Sequence, residues 1–183
     1  MMDVDDRDGI RTLTLNRPET GNVLNARMVG ELSQAVSGCE ATDGPKVLVL
    51  RGGAQVFCAG GDFQAAAAGD DLDPASLYDL WRRLACGPFV SVAVVSGRVT
   101  AGGVGLSSAC DLVLADDSAS FTLSELLFGL YPACVLPFLT RRIGAQRSHY
   151  MTLSTQAVGA AQALAWGLVD AVEIGRATCR ERV

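Results

Sequence analysis

Two glycine-rich turns are the first candidates for chemistry in this 183-residue sequence. They are Phe57-Cys58-Ala59-Gly60-Gly61-Asp62 and Thr100-Ala101-Gly102-Gly103-Val104-Gly105, and each follows an apolar run typical of a strand. Glycine lets backbone N–H groups approach a ligand, and the first turn of a helix leaves such donors unpaired, so two facing turns can bind an anionic oxygen. Tight turns and close helix packing are the alternative explanation for either motif alone. Phosphate binding is disfavoured, because neither turn has the Lys-Ser/Thr ending of a P-loop or a full GxGxxG.

Glu125 is a carboxylate surrounded by apolar residues in the stretch from Phe121 to Gly129. Burial there would raise the pKa of the carboxyl group toward the range useful for proton transfer. The structural alternative is a short helix capped by Ser124, with Glu125 in its first turn. The sequence leaves both interpretations open and makes Glu125 a candidate general base.

A nucleophilic site and a metal site are both disfavoured. Ser148-His149 lacks a GxSxG elbow, and His149, the only histidine, lies on a predicted helix face. The six cysteines are 19 to 45 residues apart and form no CxxC pair. We therefore predict reduced, mostly buried thiols and no bound metal.

Hydrophobic periodicity predicts the elements that must position these residues. Ile10 to Leu15 alternates like a half-buried strand, and Asn25 can cap an amphipathic helix that buries Met28, Leu32, Ala35, Val36 and Cys39. Buried strands are predicted at 47–50, 89–95 and 111–115, further helices at 77–84 and 102–109, and a loop or weak helix that can act as a lid at 64–73. Strands that alternate with helices favour one α/β domain with parallel pairing.

Composition excludes several other classes of function. The net charge is −5 and Lys46 is the only lysine, so the sequence has no basic stripe for nucleic acid. No apolar run reaches 18 residues, and the acidic segment 1–7 lacks the pattern of a signal peptide. We expect a cytoplasmic protein with neither a nucleic-acid partner nor a membrane segment.

The chain from Ile10 to about Val172 resembles the enoyl-CoA hydratase/isomerase (crotonase) superfamily, and the two glycine turns carry the resemblance. It implies an α/β fold with the crotonase-type ββα spiral core. In that family two backbone N–H groups bind the thioester oxygen as it becomes an enolate, and the matching positions are Gly61 and Gly102. Glu125 matches the second of two glutamates in the family hydratases, whereas the first falls on Gly105 and is absent.

Three segments, 97–105, 124–139 and 149–153, more narrowly resemble the dehydratases of polyketide β-branching cassettes. This resemblance implies removal of water from 3-hydroxy-3-methylglutaryl on an acyl carrier protein, which gives 3-methylglutaconyl. The acyl thioester would be carried on the phosphopantetheine of the carrier protein or on CoA, with no further cofactor. Competing interpretations are an enoyl-CoA hydratase or isomerase, a glutaconyl decarboxylase of the same fold, and an inactive fragment or carrier-protein-binding module.

The resemblance implies that Glu125 removes the proton next to the thioester. The proton that the leaving hydroxyl needs can come from Glu125 itself, from Asp62, from Tyr131 or from an ordered water, and the sequence leaves these alternatives open. Three arginines are candidates to pair with the free carboxylate of the substrate, with plain surface solvation as the alternative: Arg82, Arg83 and Arg98.

The C-terminal end departs from the family pattern. Family members continue into helices that cover the site and build homotrimers, and we expect a core domain at 1–172 without those helices. Residues 173–183 resemble translated sequencing-adapter DNA, and we expect this tail to be disordered. The 183-residue chain alone is expected to be poorly soluble or inactive, because apolar faces would be left exposed.

Overall fold

A computed structural model describes residues 2–61 and 72–173 of the chain. Within these ranges the strands are β1 Met2–Arg7, β2 Ile10–Leu15, β3 Val47–Arg51, β4 Val56–Cys58, β5 Val90–Val95, β6 Arg98–Thr100, β7 Leu112–Asp116, β8 Ser120–Thr122, β9 Val158–Gly159 and β10 Ala171–Glu173. The α-helices are α1 Ala26–Glu40, α2 Pro74–Cys86, α3 Gly102–Ala109, α4 Leu136–Ser154 and α5 Ala160–Trp166. Two short 3₁₀ helices lie at Pro18–Thr20 and Glu125–Phe128.

The larger sheet has the strand order β1-β2-β3-β5-β7-β10 and is parallel except for the antiparallel pair β1–β2. The predicted strands β2, β3, β5 and β7 are confirmed within one residue at each end. Leu48, Val49 and Leu50 of β3 are fully buried, as expected for a strand that is covered on both faces. Helical crossovers make the parallel pairing possible, which confirms the predicted α/β class.

The hairpin strand β1 was not expected from the sequence. Its five C-terminal residues are exposed and it has no buried face, so it carries no periodic apolar signal. Asp8 and Gly9 adopt positive φ angles of 52° and 78°, the conformation that a tight two-residue hairpin needs. Arg11 then donates two hydrogen bonds, of 2.8 and 2.6 Å, to the Asp6 carboxylate across the hairpin. The turn and this ion pair supply the pairing that hydrophobic burial does not.

The smaller sheet, ordered β4-β6-β8-β9, positions the candidate site. β4, β6 and β8 are mutually parallel and have three residues each, whereas β9 is antiparallel to β8. Because the carboxyl ends of parallel strands lie at the same edge of a sheet, the segments that follow these strands meet there. These segments contain Gly61, Gly102 and Glu125, respectively.

Caps fix where the first two long helices begin. The Asn25 side chain accepts a hydrogen bond of 2.9 Å from the Met28 N–H at the start of α1, as predicted. All five residues predicted for the buried face of this helix are buried. Asp73 caps α2 in the same way through the N–H groups of Ala75 and Ser76, and the helix is therefore longer than the predicted 77–84. Most of the predicted lid lies outside the described residues.

The C-terminal boundary differs from the expectation by one residue. Glu173 is the last residue of β10 and pairs with Asp116 in the larger sheet, so the disordered tail predicted from position 173 is wrong at that position. Residues 174–183 lie outside the described residues. In the part of the chain that the structure describes, no helix is long and apolar enough to span a bilayer.

Candidate active site

The two glycine turns lie against each other at the edge of the smaller sheet. A Cβ atom built on Gly60 would lie 3.3 Å from the Gly102 nitrogen, and one built on Gly102 would lie 3.7 Å from the Gly61 nitrogen. Among residues 2–61 and 72–173, neither the Gly61 nor the Gly102 N–H has a hydrogen-bond acceptor. The structure thus brings together two free backbone donors at the positions where the sequence suggests them.

Ala101 connects β6 to α3 in a strained conformation. Its φ and ψ angles are 50° and −118°, which are rare for a residue with a side chain and cost on the order of 1–3 kcal/mol. The Ala101 N–H donates to the Thr122 carbonyl at 2.9 Å, and its carbonyl accepts from Val104 N–H at 2.9 Å. These bonds hold the first turn of α3 next to the end of β8, close to Glu125.

Glu125 is the first residue of the 3₁₀ helix Glu125–Phe128, and it is buried with 8% exposure. Ser124 occupies the N-cap position and Glu125 lies in the first turn, as the capping explanation expects. The Ser124 side chain makes no capping hydrogen bond, so that part of the explanation is wrong. Gly129 ends the turn with a φ of 71°, and its N–H bonds back to the Leu126 carbonyl at 3.1 Å. The Glu125 Oε2 atom is buried without a hydrogen-bond partner among the described residues.

Burial raises the pKa of the Glu125 carboxyl group above its usual value, and hydrogen bonds from the Glu125 and Ser124 backbone lower it in part. A carboxylate that is poorly solvated and lacks a counter-ion is a stronger base than one in water. The side chain can therefore remove a weakly acidic proton from a ligand in the same space.

The raised pKa of Glu125 predicts how its removal changes stability with pH. The folded state holds the proton more tightly than the unfolded state, so this group favours folding below its usual pKa, and the benefit is lost as pH rises through the raised pKa. We expect Glu125→Gln to melt at the wild-type temperature near about pH 4 and at a higher temperature near about pH 8. Thermal melts by circular dichroism test this, and a variant less stable than wild type at the higher pH would contradict it.

Gly61, Gly102 and Glu125 line one cavity of about 350 Å³. The other lining residues come from α2, from Ala101 and from the segment between the 3₁₀ helix and α4: Pro74, Leu77, Trp81, Ala101, Leu130, Tyr131, Pro132, Ala133, Cys134 and Val135. Most of the lining is apolar, which suits an acyl chain. Tyr131 lines this cavity and is 61% exposed. Asp62 lies outside the described residues.

Two of the three candidate arginines form ion pairs with other residues of the protein. Arg82 binds Asp79 one turn earlier on α2, and Arg83 makes two hydrogen bonds of 2.9 and 2.7 Å to Glu40 on α1. Arg98 is exposed and lines a second cavity, of about 680 Å³, that also contacts Gly61. No described lysine or arginine lines the cavity of Glu125.

The alternative catalytic groups do not form a site. Ser148 is buried in α4 and donates to the Gly144 carbonyl at 2.8 Å, whereas His149 is exposed. Burial raises the pKa of the Cys58 and Cys110 thiols to about 12, which leaves them protonated and unreactive. In the described ranges no group of three or more His, Cys, Asp or Glu residues is arranged to hold a metal ion.

Trp81 is the site residue that sequence reasoning missed. It is 1% exposed, comes from α2 and lines the cavity of Glu125. A Cβ atom built on Gly105 would lie 2.6 to 2.8 Å from three carbons of the Trp81 ring, so the indole occupies the space of any side chain at position 105. The two residues are 24 positions apart, and only the packing of α2 on α3 brings them together.

This contact predicts that Gly105→Ala destabilises the protein. The added methyl group overlaps the indole, and overpacking of this kind costs about 1–3 kcal/mol in the free energy of unfolding. Gly30→Ala is the matched control, because a Cβ on that glycine of α1 meets no atom within 4 Å and alanine favours a helix by about 0.5–1 kcal/mol. Urea unfolding measures the free energy of unfolding of both variants. A Gly105→Ala variant as stable as wild type would contradict the prediction, because the packing around Trp81 would then accommodate the added methyl group without any loss in the free energy of unfolding.

Comparison with known proteins agrees with this geometry. Residues 5–178 match the sequence profile of the enoyl-CoA hydratase/isomerase family. The chain belongs to this family. Its membership and its crotonase-type α/β fold, both expected from the glycine turns, are confirmed.

Relatives within the family include both dehydratases and hydratases. The bacillaene synthase dehydratase PksH of Bacillus subtilis is 48% identical over 169 residues, which cover 88% of this chain and 64% of that protein. A crystal structure of the Bacillus subtilis pksH protein, named as a polyketide biosynthesis enoyl-CoA hydratase, superposes with a TM-score of 0.92 at 44% identity, covering 100% of this chain and 74% of that one. A protein of Thermus thermophilus named as an enoyl-CoA hydratase is 34% identical over 170 residues, 89% of this chain and 67% of that protein.

Proposed function

We propose that this protein is a hydro-lyase that dehydrates 3-hydroxy-3-methylglutaryl, held as a thioester on an acyl carrier protein, to 3-methylglutaconyl in polyketide β-branching. The observation that carries the proposal is a single buried carboxylate, Glu125, in one cavity with two free backbone N–H groups. Position 105, where the family hydratases carry their other glutamate, is a glycine covered by Trp81. The similarity to a polyketide synthase dehydratase supports the same assignment.

The first step is removal of the proton next to the thioester. The N–H groups of Gly61 and Gly102 donate to the thioester oxygen, and their contribution grows as the oxygen becomes an enolate. Each such donor is worth about 3–4 kcal/mol in comparable oxyanion holes. Glu125 is the base, because it is the only carboxylic side chain among the described residues that line this cavity.

The second step is loss of the tertiary hydroxyl. The enolate electrons re-form the carbonyl and make the C=C bond, and the C–O bond to the hydroxyl breaks. Glu125 now carries the proton that it removed, and it returns this proton to the leaving oxygen to release water. Glu125 thus acts first as the base and then as the acid, and it returns to its starting protonation state.

The two cavities can hold the two ends of the substrate, which are the acyl group and the phosphopantetheine arm. Both contact Gly61, so a thioester bound there can place its acyl group in the apolar cavity of about 350 Å³ and its phosphopantetheine arm in the cavity of about 680 Å³. Arg98 in the larger cavity is an exposed cation suited to the phosphate of that arm or to an acidic carrier surface.

The proposal is tested by intact-mass analysis of a carrier protein loaded with 3-hydroxy-3-methylglutaryl after incubation with the protein. We expect the loss of one water and no carbon dioxide. Loss of carbon dioxide would identify a decarboxylase instead. Hydration of crotonyl-CoA without any reaction on the loaded carrier would favour the second candidate, an enoyl-CoA hydratase, to which the Thermus relative's name points.

We further propose that the active assembly is a cytoplasmic homotrimer. Exposed apolar residues in the segment 127–131, two of which line the cavity of Glu125, support a covering partner: Leu127, Phe128, Leu130 and Tyr131. Light scattering on this chain and on a version extended with the C-terminal third of PksH tests the assembly. We expect a soluble trimer only for the extended version, and a monodisperse, active short chain would contradict the expectation.

A further inference from the structure

Trp81, which lines the cavity of Glu125, carries a polar group that no hydrogen bond uses in the described part of the chain. Its Nε1 atom is buried and has no hydrogen-bond partner among residues 2–61 and 72–173. Buried tryptophan N–H groups are usually paired, because an unpaired one loses its hydrogen bonds to water without replacement. An orphaned donor beside a binding cavity is therefore a group that a ligand can satisfy.

Glu125 lines the same cavity, and its Oε2 atom is also buried without a hydrogen-bond partner among the described residues. One atom is a donor that cannot accept, and the other is an acceptor when ionised. A hydroxyl group has one hydrogen to donate and lone pairs that accept, so it has the hydrogen-bonding capacity that these two atoms need. Neither a methyl group nor a methylene group of the substrate has this capacity.

The indole is held firmly enough to position such a bond. Three of its ring carbons lie within 2.8 Å of where a Cβ on Gly105 would be, and its ring meets Phe138 edge to face with centroids 6.0 Å apart. A glycine at position 105 is what makes room for the ring, since any side chain there would overlap it.

Resting on the dehydration proposed above, we infer that the Trp81 Nε1–H donates a hydrogen bond to the 3-hydroxyl oxygen of the substrate and positions that group for departure. When the C–O bond breaks, its electron pair stays on the hydroxyl oxygen, and the indole N–H stabilises the negative charge that develops there. Glu125 delivers the proton that it took from the carbon next to the thioester, and water leaves. Trp81 keeps its own proton throughout.

The hydroxyl is a better partner for this N–H than the free carboxylate of the substrate. A buried carboxylate needs a cation or several donors to offset its lost hydration, and no described lysine or arginine lines this cavity. A single neutral donor satisfies a hydroxyl oxygen.

The test removes the N–H and keeps an aromatic ring at position 81. Trp81→Phe, and incorporation of the benzothiophene analogue of tryptophan at position 81, which preserves the two-ring shape, should each lower kcat for dehydration by about 10-fold with little change in KM. Trp166→Phe is the matched control, since that ring packs on Tyr150 and Arg147 outside the cavity and its loss should leave kcat unchanged.

A second substrate separates a role in hydroxyl departure from a merely structural one. The carrier-bound 3-methylglutaryl thioester lacks the hydroxyl but can still exchange its α-hydrogens with D₂O through Glu125. We expect the exchange rate to be the same in wild type and in both position-81 variants. Equal losses of exchange and dehydration, or recovery of dehydration by the benzothiophene analogue, would overturn the inference in favour of packing. Unchanged dehydration in the variants would also overturn it, whereas a wild-type protein that dehydrates nothing would overturn the proposed function itself.

Discussion

We expect the Glu125→Gln variant to turn over its thioester substrate at least about 100-fold more slowly than wild type, because general-base catalysis of this kind contributes about 100- to 10,000-fold. Glutamine has nearly the same shape and stays in the buried 3₁₀ turn, but it cannot take a proton. The loss should appear in kcat rather than in KM, since binding through Gly61 and Gly102 is unchanged.

Glu31→Gln is the matched control for that experiment. Glu31 lies on α1 in a surface ion pair with Arg27, and the same chemical change there should leave turnover as it is. Wild-type turnover in a folded Glu125→Gln variant would remove Glu125 from the mechanism.

The second large effect is expected at Gly102, whose N–H lies beside Gly61 and has no acceptor in the part of the chain that the structure describes. Gly102→Pro deletes this donor and should abolish measurable dehydration, because loss of one oxyanion-hole donor costs about 100- to 1,000-fold in kcat. Proline suits the first position of a helix, which Gly102 occupies in α3. The strained Ala101 before it is less tolerant, since a residue before proline is restricted to extended conformations.

Gly102→Ala separates the lost donor from a distorted turn. Alanine keeps the N–H, and its Cβ would make ordinary contacts, 3.4 Å from the Leu24 Cδ1 and 3.7 Å from the Gly61 nitrogen. We expect the alanine variant to retain far more activity than the proline variant. Circular dichroism and a melting curve must show that both are folded, and a folded, active Gly102→Pro variant would contradict the role of this N–H.

Local signals in the sequence predicted much of the fold. Asn25 and the apolar spacing that follows it lie within one helix, and the run from Val47 to Leu50 is a single buried strand, so each pattern is visible without tertiary information. β4, β6 and β8 were not predicted, because three residues are too few to show a period. Four strands of the larger sheet and the helices α1 to α3 were therefore accessible from the sequence, whereas α4, α5 and the small sheet that joins the site were not.

The residues of the candidate site also fall into those that the sequence predicted and those that it did not. Gly61, Gly102 and Glu125 stand in recognisable motifs, and the structure gathers them around one cavity. Trp81 has no motif, and its contact with Gly105 depends on how α2 packs against α3. Arg83 was a candidate to bind the substrate's free carboxylate, but in the fold it donates a hydrogen bond to the Glu40 carboxylate instead. Long-range packing and ion pairing decide such contacts, and neither leaves a local pattern.

The most direct test of the account uses 3-hydroxy-3-methylglutaryl that carries two deuterium atoms on the carbon next to the thioester, loaded on a carrier protein. If Glu125 removes a proton from that carbon while Gly61 and Gly102 hold the enolate oxygen, intact mass must show that the product has lost water and at least one deuterium. A product that has lost water but keeps both deuterium atoms would mean that the double bond forms away from the thioester, and it would contradict the enolate mechanism.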